Sequence, residues 1–83
     1  MPAYISFTNK TLFPVISVYG NDKLIEENIL LNSPTKNYRV DSGSVEFSIR
    51  QNEKPFQSLW VSLYPNEIYE LIIKNSGSDL FEK

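Results

Sequence analysis

The 83-residue chain contains no cysteine and no histidine. Disulfide staples, thiolate nucleophiles and the usual zinc ligand sets are therefore excluded, and so is the side chain that most often serves as a base near neutral pH. The chain also lacks a dense basic run. Its eight Lys and Arg residues are scattered among ten Asp and Glu, for a formal charge of −2. That pattern predicts no phosphate-tracking surface, hence no nucleic-acid partner. No apolar run is long enough to span a bilayer. The opening "MPAYISFTNK" has neither the basic n-region nor the long apolar h-region of a secretion signal. No cofactor and no metal is expected.

Aromatic side chains, in contrast, are plentiful: five Phe, five Tyr and one Trp. A chain of this length makes one small domain with a thin stability margin. Without disulfides or a metal, its stability must come from a packed aromatic and aliphatic core or from a partner chain.

Period-two alternation dominates and predicts strands. In "VEFSIRQ", Val45, Phe47 and Ile49 share one face while Glu46, Ser48 and Arg50 take the other. In "IYELIIK", Tyr69, Leu71 and Ile73 oppose the half-apolar row Ile68, Glu70, Ile72 and Lys74. "SLWVSLY" groups Leu59, Val61 and Leu63 against Trp60 and Tyr64. "AYISFTN" groups Ala3, Ile5 and Phe7, and "FPVISVY" sets Ile16 and Val18 against Val15. Residues 23–31, "KLIEENILL", make a poor helical stripe and read better as a strand with a bulge or short turn near Glu26-Glu27-Asn28. "GNDK", "NSPTKN", "DSGS", "NEKP" and "YPNE" carry the turn chemistry between these runs. "DSGS" reads as a tight hairpin with Gly43 at positive φ. Pro14 at the start of "FPVISVY" suits an edge strand. The prediction is an all-β, immunoglobulin-like or prealbumin-like antiparallel sandwich of about seven strands. It spans residues 1–75, with 76–83 a polar C-terminal tail that is loose or docks through Leu80 and Phe81.

The string "AYISFTN", "PVISVYGNDKLIEENI", "NYRVDSGSVEFSIR" and "VSLYPNEIYELIIK" resembles a bacterial family of small β-sandwich domains of unknown function. Its members carry "V-D-V-Y", "n-G-k", "Y-x-x-v-p-a-G" and "Y-T-v" in the same order. The resemblance covers residues 3–74 and rests on Val18, Tyr19, Tyr38, Gly43, Val45 and Tyr69. The family's "H-A-S-P" is "TNKT" here, the Asp of "V-D-V-Y" is Ser17, and the Gly of its turn is Asp22. The layout is also similar to the sandwich halves of the alginate-acetylation accessory protein F of bacterial exopolysaccharide systems, with Asn66 where a Gly would sit. Both resemblances imply a non-catalytic binding or assembly role outside the cytoplasm, in the periplasm or at the cell surface. The expected partner is a protein or a polysaccharide, and neither resemblance supplies a catalytic residue.

Among candidate sites, paired carboxylates could serve glycoside hydrolysis. The available set, Asp22, Glu26, Glu27, Glu46, Glu53, Glu67 and Glu70, falls in turns or on outward positions and reads as a solvated face. Asp22, Glu26 and Glu27 offer hard oxygens for Ca²⁺, but their spacing is not that of an EF-hand loop. Tyr38 and Tyr69 read as structural, their hydroxyls satisfied by backbone. Asn9-Lys10-Thr11 is a formal glycosylation sequon. The binding candidates are Trp60 and Tyr64, with Tyr4 able to join them, as an exposed aromatic row that stacks on sugar rings or anchors a protein. The competing reading buries Trp60 beneath a loop or the tail, against Phe81. A homodimeric or intracellular structural subunit that buries Trp60 is a third reading.

Overall fold

The computed structural model describes all 83 residues, and every regular element in it is a strand. The order is β1 (Pro2–Lys10), β2 (Val15–Gly20), β3 (Lys23–Leu30), β4 (Tyr38–Asp41), β5 (Gly43–Gln51), β6 (Lys54–Leu63), β7 (Ile68–Lys74) and β8 (Gly77–Glu82). They form a sandwich of two four-stranded sheets, β4-β1-β7-β8 and β3-β2-β5-β6.

Alternation sets the core. Val45, Phe47 and Ile49 of β5 face Ile5 and Phe7 of β1 and Leu71 and Ile73 of β7, all buried. Phe7 and Phe47 meet edge to face across the sheets, 5.8 Å apart at 78°. The hairpins are tight because their turn residues accept left-handed backbone. Asn21 and Asp22 join β2 to β3 with φ of 48° and 66°, and Asn52 and Glu53 join β5 to β6 with 52° and 66°. Two consecutive positive-φ residues match the right-handed twist of the flanking strands. Gly43 and Asn66 also take positive φ, as their positions predict.

The all-β sandwich of about seven strands stands as expected, and four details of it are corrected. Residues 77–82 form an eighth strand, paired with β7 from Tyr69↔Glu82 to Lys74↔Gly77, rather than a loose tail. Leu80 packs on the core while Phe81 points outward. The sandwich is not wholly antiparallel, since β1 and β7 run parallel from Tyr4↔Ile68 to Lys10↔Lys74. Parallel neighbours need a long connection, and the whole of β2–β6 lies between these two. Asp41-Ser42-Gly43 is not a hairpin: β4 belongs to one sheet and β5 to the other, so the chain changes sheets there. Finally, β2 is interior, between β3 and β5, and Pro14 precedes it in the connection. Its missing N–H therefore costs no ladder bond. The free edges belong to β4, β8, β3 and β6.

Asn9 explains the sequon. Its side chain is fully buried. Its amide nitrogen donates to the carbonyls of Phe13 (2.9 Å) and Ile29 (3.2 Å), and its Oδ1 accepts the N–H (2.9 Å) and the hydroxyl (2.6 Å) of Thr11. The Asn and Thr of the motif are there to turn the chain and tie β1 to β3, and no glycan can reach that amide in the folded state.

Candidate functional site

The three aromatic candidates are exposed but do not form one row. Trp60 stands on the outer face of β6 and is 67 % exposed, opposite Glu46 of β5. Tyr64 follows β6 at the start of the turn into β7 and is 68 % exposed. Tyr4 lies on the outer face of the other sheet, between Arg39 and Ile68, and is 36 % exposed. Alternation along each strand made Tyr4 and Trp60 equivalent, yet β1 and β6 belong to different sheets, so their outward faces point away from each other. Phe81, the proposed cover for Trp60, is on Tyr4's side of the molecule, paired beside Glu70.

The outer face around Trp60 is organised by polar contacts. Ser58 donates its hydroxyl to Glu46 Oε2 at 3.1 Å, beside the indole. Further along β5, the Arg50 guanidinium lies 3.8 Å from the centroid of the Tyr19 ring and its Nε donates to Ser48 Oγ at 3.2 Å. The face thus offers one open ring and one carboxylate, with a second ring already covered by a cation.

The sides of the sandwich hold a second group of residues, which strand-by-strand reading missed. The sequence pattern places Glu26 on a solvated face. In the structure Glu26 pairs across β3–β2 with Val18, a core position, so its carboxylate points inward at the edge. There Tyr38 of β4 donates its hydroxyl to Glu26 Oε1 at 2.5 Å. Tyr38 is therefore satisfied by a carboxylate and not by backbone. The other oxygen, Oε2, accepts the backbone N–H of Glu27 (2.8 Å) and Asn28 (3.0 Å). Those amides need it because the β2–β3 register slips on both sides of Val18, and bulged residues lose their ladder partners. The Tyr38 hydrogen bond, the Asn28 and Glu27 amides and the Lys36 charge together hold the Glu26 carboxyl below its ordinary range. Burial, then the Glu26 hydrogen bond and charge, push Tyr38 up to about 12. Tyr69 behaves as expected: its hydroxyl accepts the backbone N–H of Tyr64 at 2.8 Å.

Beyond this contact, towards the β2–β3 turn, β3 and β4 part to leave a cleft of about 500 Å³. Leu24, Ile25, Tyr38, Val40 and Val45 give it apolar walls, and Lys23, Arg39 and Asp41 line it as well. Gly20 lies at its base beneath Ile25: a Cβ there would sit 2.8 Å from the flexible end of the Ile25 side chain, which would have to shift. No local signal marks the cleft in the sequence, because Glu26 and Tyr38 are twelve residues apart on different sheets. The inward turn of one of the adjacent pair Glu26-Glu27 was the one available hint.

No group of three or more acidic, His or Cys side chains is placed to hold a metal. No helix is long and apolar enough to cross a membrane. No family model matches the chain, and no curated protein matches it. The family resemblance of residues 3–74 therefore rests on the quoted positions alone.

Proposed function

We propose that this protein is a non-catalytic binding or assembly module, with a partner protein docking on the outer face of the β3-β2-β5-β6 sheet. The observation that supports this best is Trp60, two-thirds exposed on an edge strand of an 83-residue domain. Leaving so large an apolar ring in water forgoes its burial energy, and exposed Trp is a characteristic anchor of protein interfaces. The ordered Glu46–Ser58 pair beside it supplies a polar rim. The resemblance to envelope sandwich domains makes an accessory role in a bacterial cell-envelope or exopolysaccharide-modification system the first place to seek the partner.

A direct carbohydrate platform is the second reading, favoured by the carboxylate and hydroxyls flanking Trp60. It is weakened by geometry: Tyr4 faces the other way and Tyr19 lies under Arg50. A single open ring makes a small sugar platform, whereas it suffices as one anchor of a protein interface.

The test places a photo-activatable phenylalanine analogue at position 60 in the native host. A discrete adduct is expected, whose protein is then purified and titrated against the free chain. Trp60→Ala should weaken that binary complex at least tenfold, about 1.4 kcal/mol, with unchanged thermal unfolding. Cross-linking from other positions but never from 60 would overturn the reading. So would a hydrolase or transferase activity lost on Glu46→Gln with the fold intact.

A further inference from the structure

We propose that the β3–β4 cleft is a second docking site, distinct from the Trp60 face, and that it takes an extended segment of a partner protein in which apolar side chains alternate with acidic ones. Three observations carry this.

First, the backbone is available. β4 pairs with β1 alone, and β3 with β2 alone. No backbone hydrogen bond from a turn or loop reaches the outward side of β4. Half the N–H and C=O groups of Tyr38–Asp41 therefore stand ready to pair with an added strand.

Second, the walls are apolar where alternate side chains of such a strand would point. Leu24 and Ile25 from β3 and Val40 from β4 flank a space whose inner wall is Val45. Four strand residues span roughly 13 Å at about 3.3 Å each. A volume near 500 Å³ is ample for the two or three side chains such a stretch would turn inward.

Third, the charge is specific. Lys23 and Arg39 both line the cleft, against the single carboxylate of Asp41. Neither cation has an ion-pair partner, because the one salt bridge in the molecule joins Lys74 to Asp79 on the far side. The neighbouring acid, Glu26, is already engaged by Tyr38 and two backbone amides. In a chain of net charge −2, the cleft thus carries the opposite sign and would draw acidic side chains.

Capped hexapeptides titrated into the isotope-labelled full chain test this. A peptide alternating glutamate and valine should shift the backbone amides of Lys23–Ile25 and Tyr38–Asp41 and leave those around Trp60 unmoved. A lysine–valine peptide should bind at least tenfold more weakly. The double variant Lys23→Glu, Arg39→Glu should invert that preference, an outcome that misfolding cannot produce. N-methylation of alternate peptide amides should weaken binding at least fivefold by removing strand hydrogen bonds. The proposal is overturned by no shift at millimolar glutamate–valine peptide, by equal binding of the two peptides, by shifts centred elsewhere, or by indifference to N-methylation. Each of these outcomes leaves the Trp60 reading untouched, since that site is probed by a different residue and readout.

Discussion

Between β6 and β8 the two sheets are tied by a neutral amide; between β3 and β4 they are tied by a carboxylate, and that second side gapes beyond the tie. On the first side Gln57 faces inward with Ile49, donates its amide nitrogen to the Lys74 carbonyl and accepts the Ser78 hydroxyl at 2.7 Å. One side chain both gives and receives, so the side closes without burying charge. On the other side Glu26 has only acceptors. Its two oxygens take one hydroxyl and two backbone donors, and the backbone donors come from a bulge. The bulge that feeds the carboxylate also brings Ile25 over Gly20, next to the cleft. An inward charge on an edge strand discourages unselective strand pairing. Here it closes the middle of the side and leaves one end accessible.

That contrast can be broken by substitution. The largest effect should come from Asn9→Ala, which removes the buried amide linking β1 to β3 at the closed end and orphans the Phe13 and Ile29 carbonyls. A loss of about 3 kcal/mol is expected. Against a total of roughly 4–12 kcal/mol for a domain of this size, urea unfolding will register it as a large drop in midpoint. Glu26→Ala comes next, at about 2 kcal/mol, because it strands the Tyr38 hydroxyl and the bulge amides. Gln57→Ala on the opposite side should cost about 1 kcal/mol by the same measurement, since it loses two neutral hydrogen bonds where Glu26 accepts three on a charged carboxylate. If Gln57→Ala proves costlier than Glu26→Ala, the assignment of the carboxylate tie as the stronger closure is wrong.

The carboxylate side alone should also be pH-sensitive. Glu26 has a lowered pKa in the folded state, so its contribution is present above the ordinary carboxyl range and lost as pH falls below that range and through the lowered folded-state value. Tyr38 has a raised pKa, so its contribution is complete below about pH 10 and lost as pH rises towards about 12. Stability measured across both limbs should show these two losses in the wild type and neither in the double variant Glu26→Gln, Tyr38→Phe. The smallest effect is expected from Gly20→Ala. The clash falls on the flexible end of Ile25, and the gain from a stiffer unfolded chain offsets part of it, leaving stability within about 0.5 kcal/mol of wild type. Its signature should instead be a shifted Ile25 methyl resonance and a weaker glutamate–valine peptide, as Ile25 moves into the cleft.

Much of this architecture is legible in the chain. The rows Val45-Phe47-Ile49 and Tyr69-Leu71-Ile73 are buried as alternation requires, and the bulge in residues 23–30 falls at the acidic interruption. β8 was not legible, because "GSDLFE" has too few apolar residues to declare a strand and acquires its order from the edge of β7. The candidate site was partly legible. Trp60 and Tyr64 are exposed, but Tyr4 stands on the opposite face, and Glu26 points inward. Period-two reading assigns a residue to one of two faces of its own strand. It cannot say which sheet that strand joins.

Local chemistry alone therefore determined the strands that precede Gly77, which side chains share a face and where the chain can reverse, because alternation and positive-φ tolerance are properties of neighbours in sequence. Tertiary structure alone decided that β1 lies parallel to β7, that the chain changes sheets at Ser42, that Glu26 meets Tyr38 and that a cationic cleft opens beside them. Those outcomes depend on pairing between distant segments, and the free energy that selects them comes from burying Phe7 against Phe47 and their neighbours in one shared core.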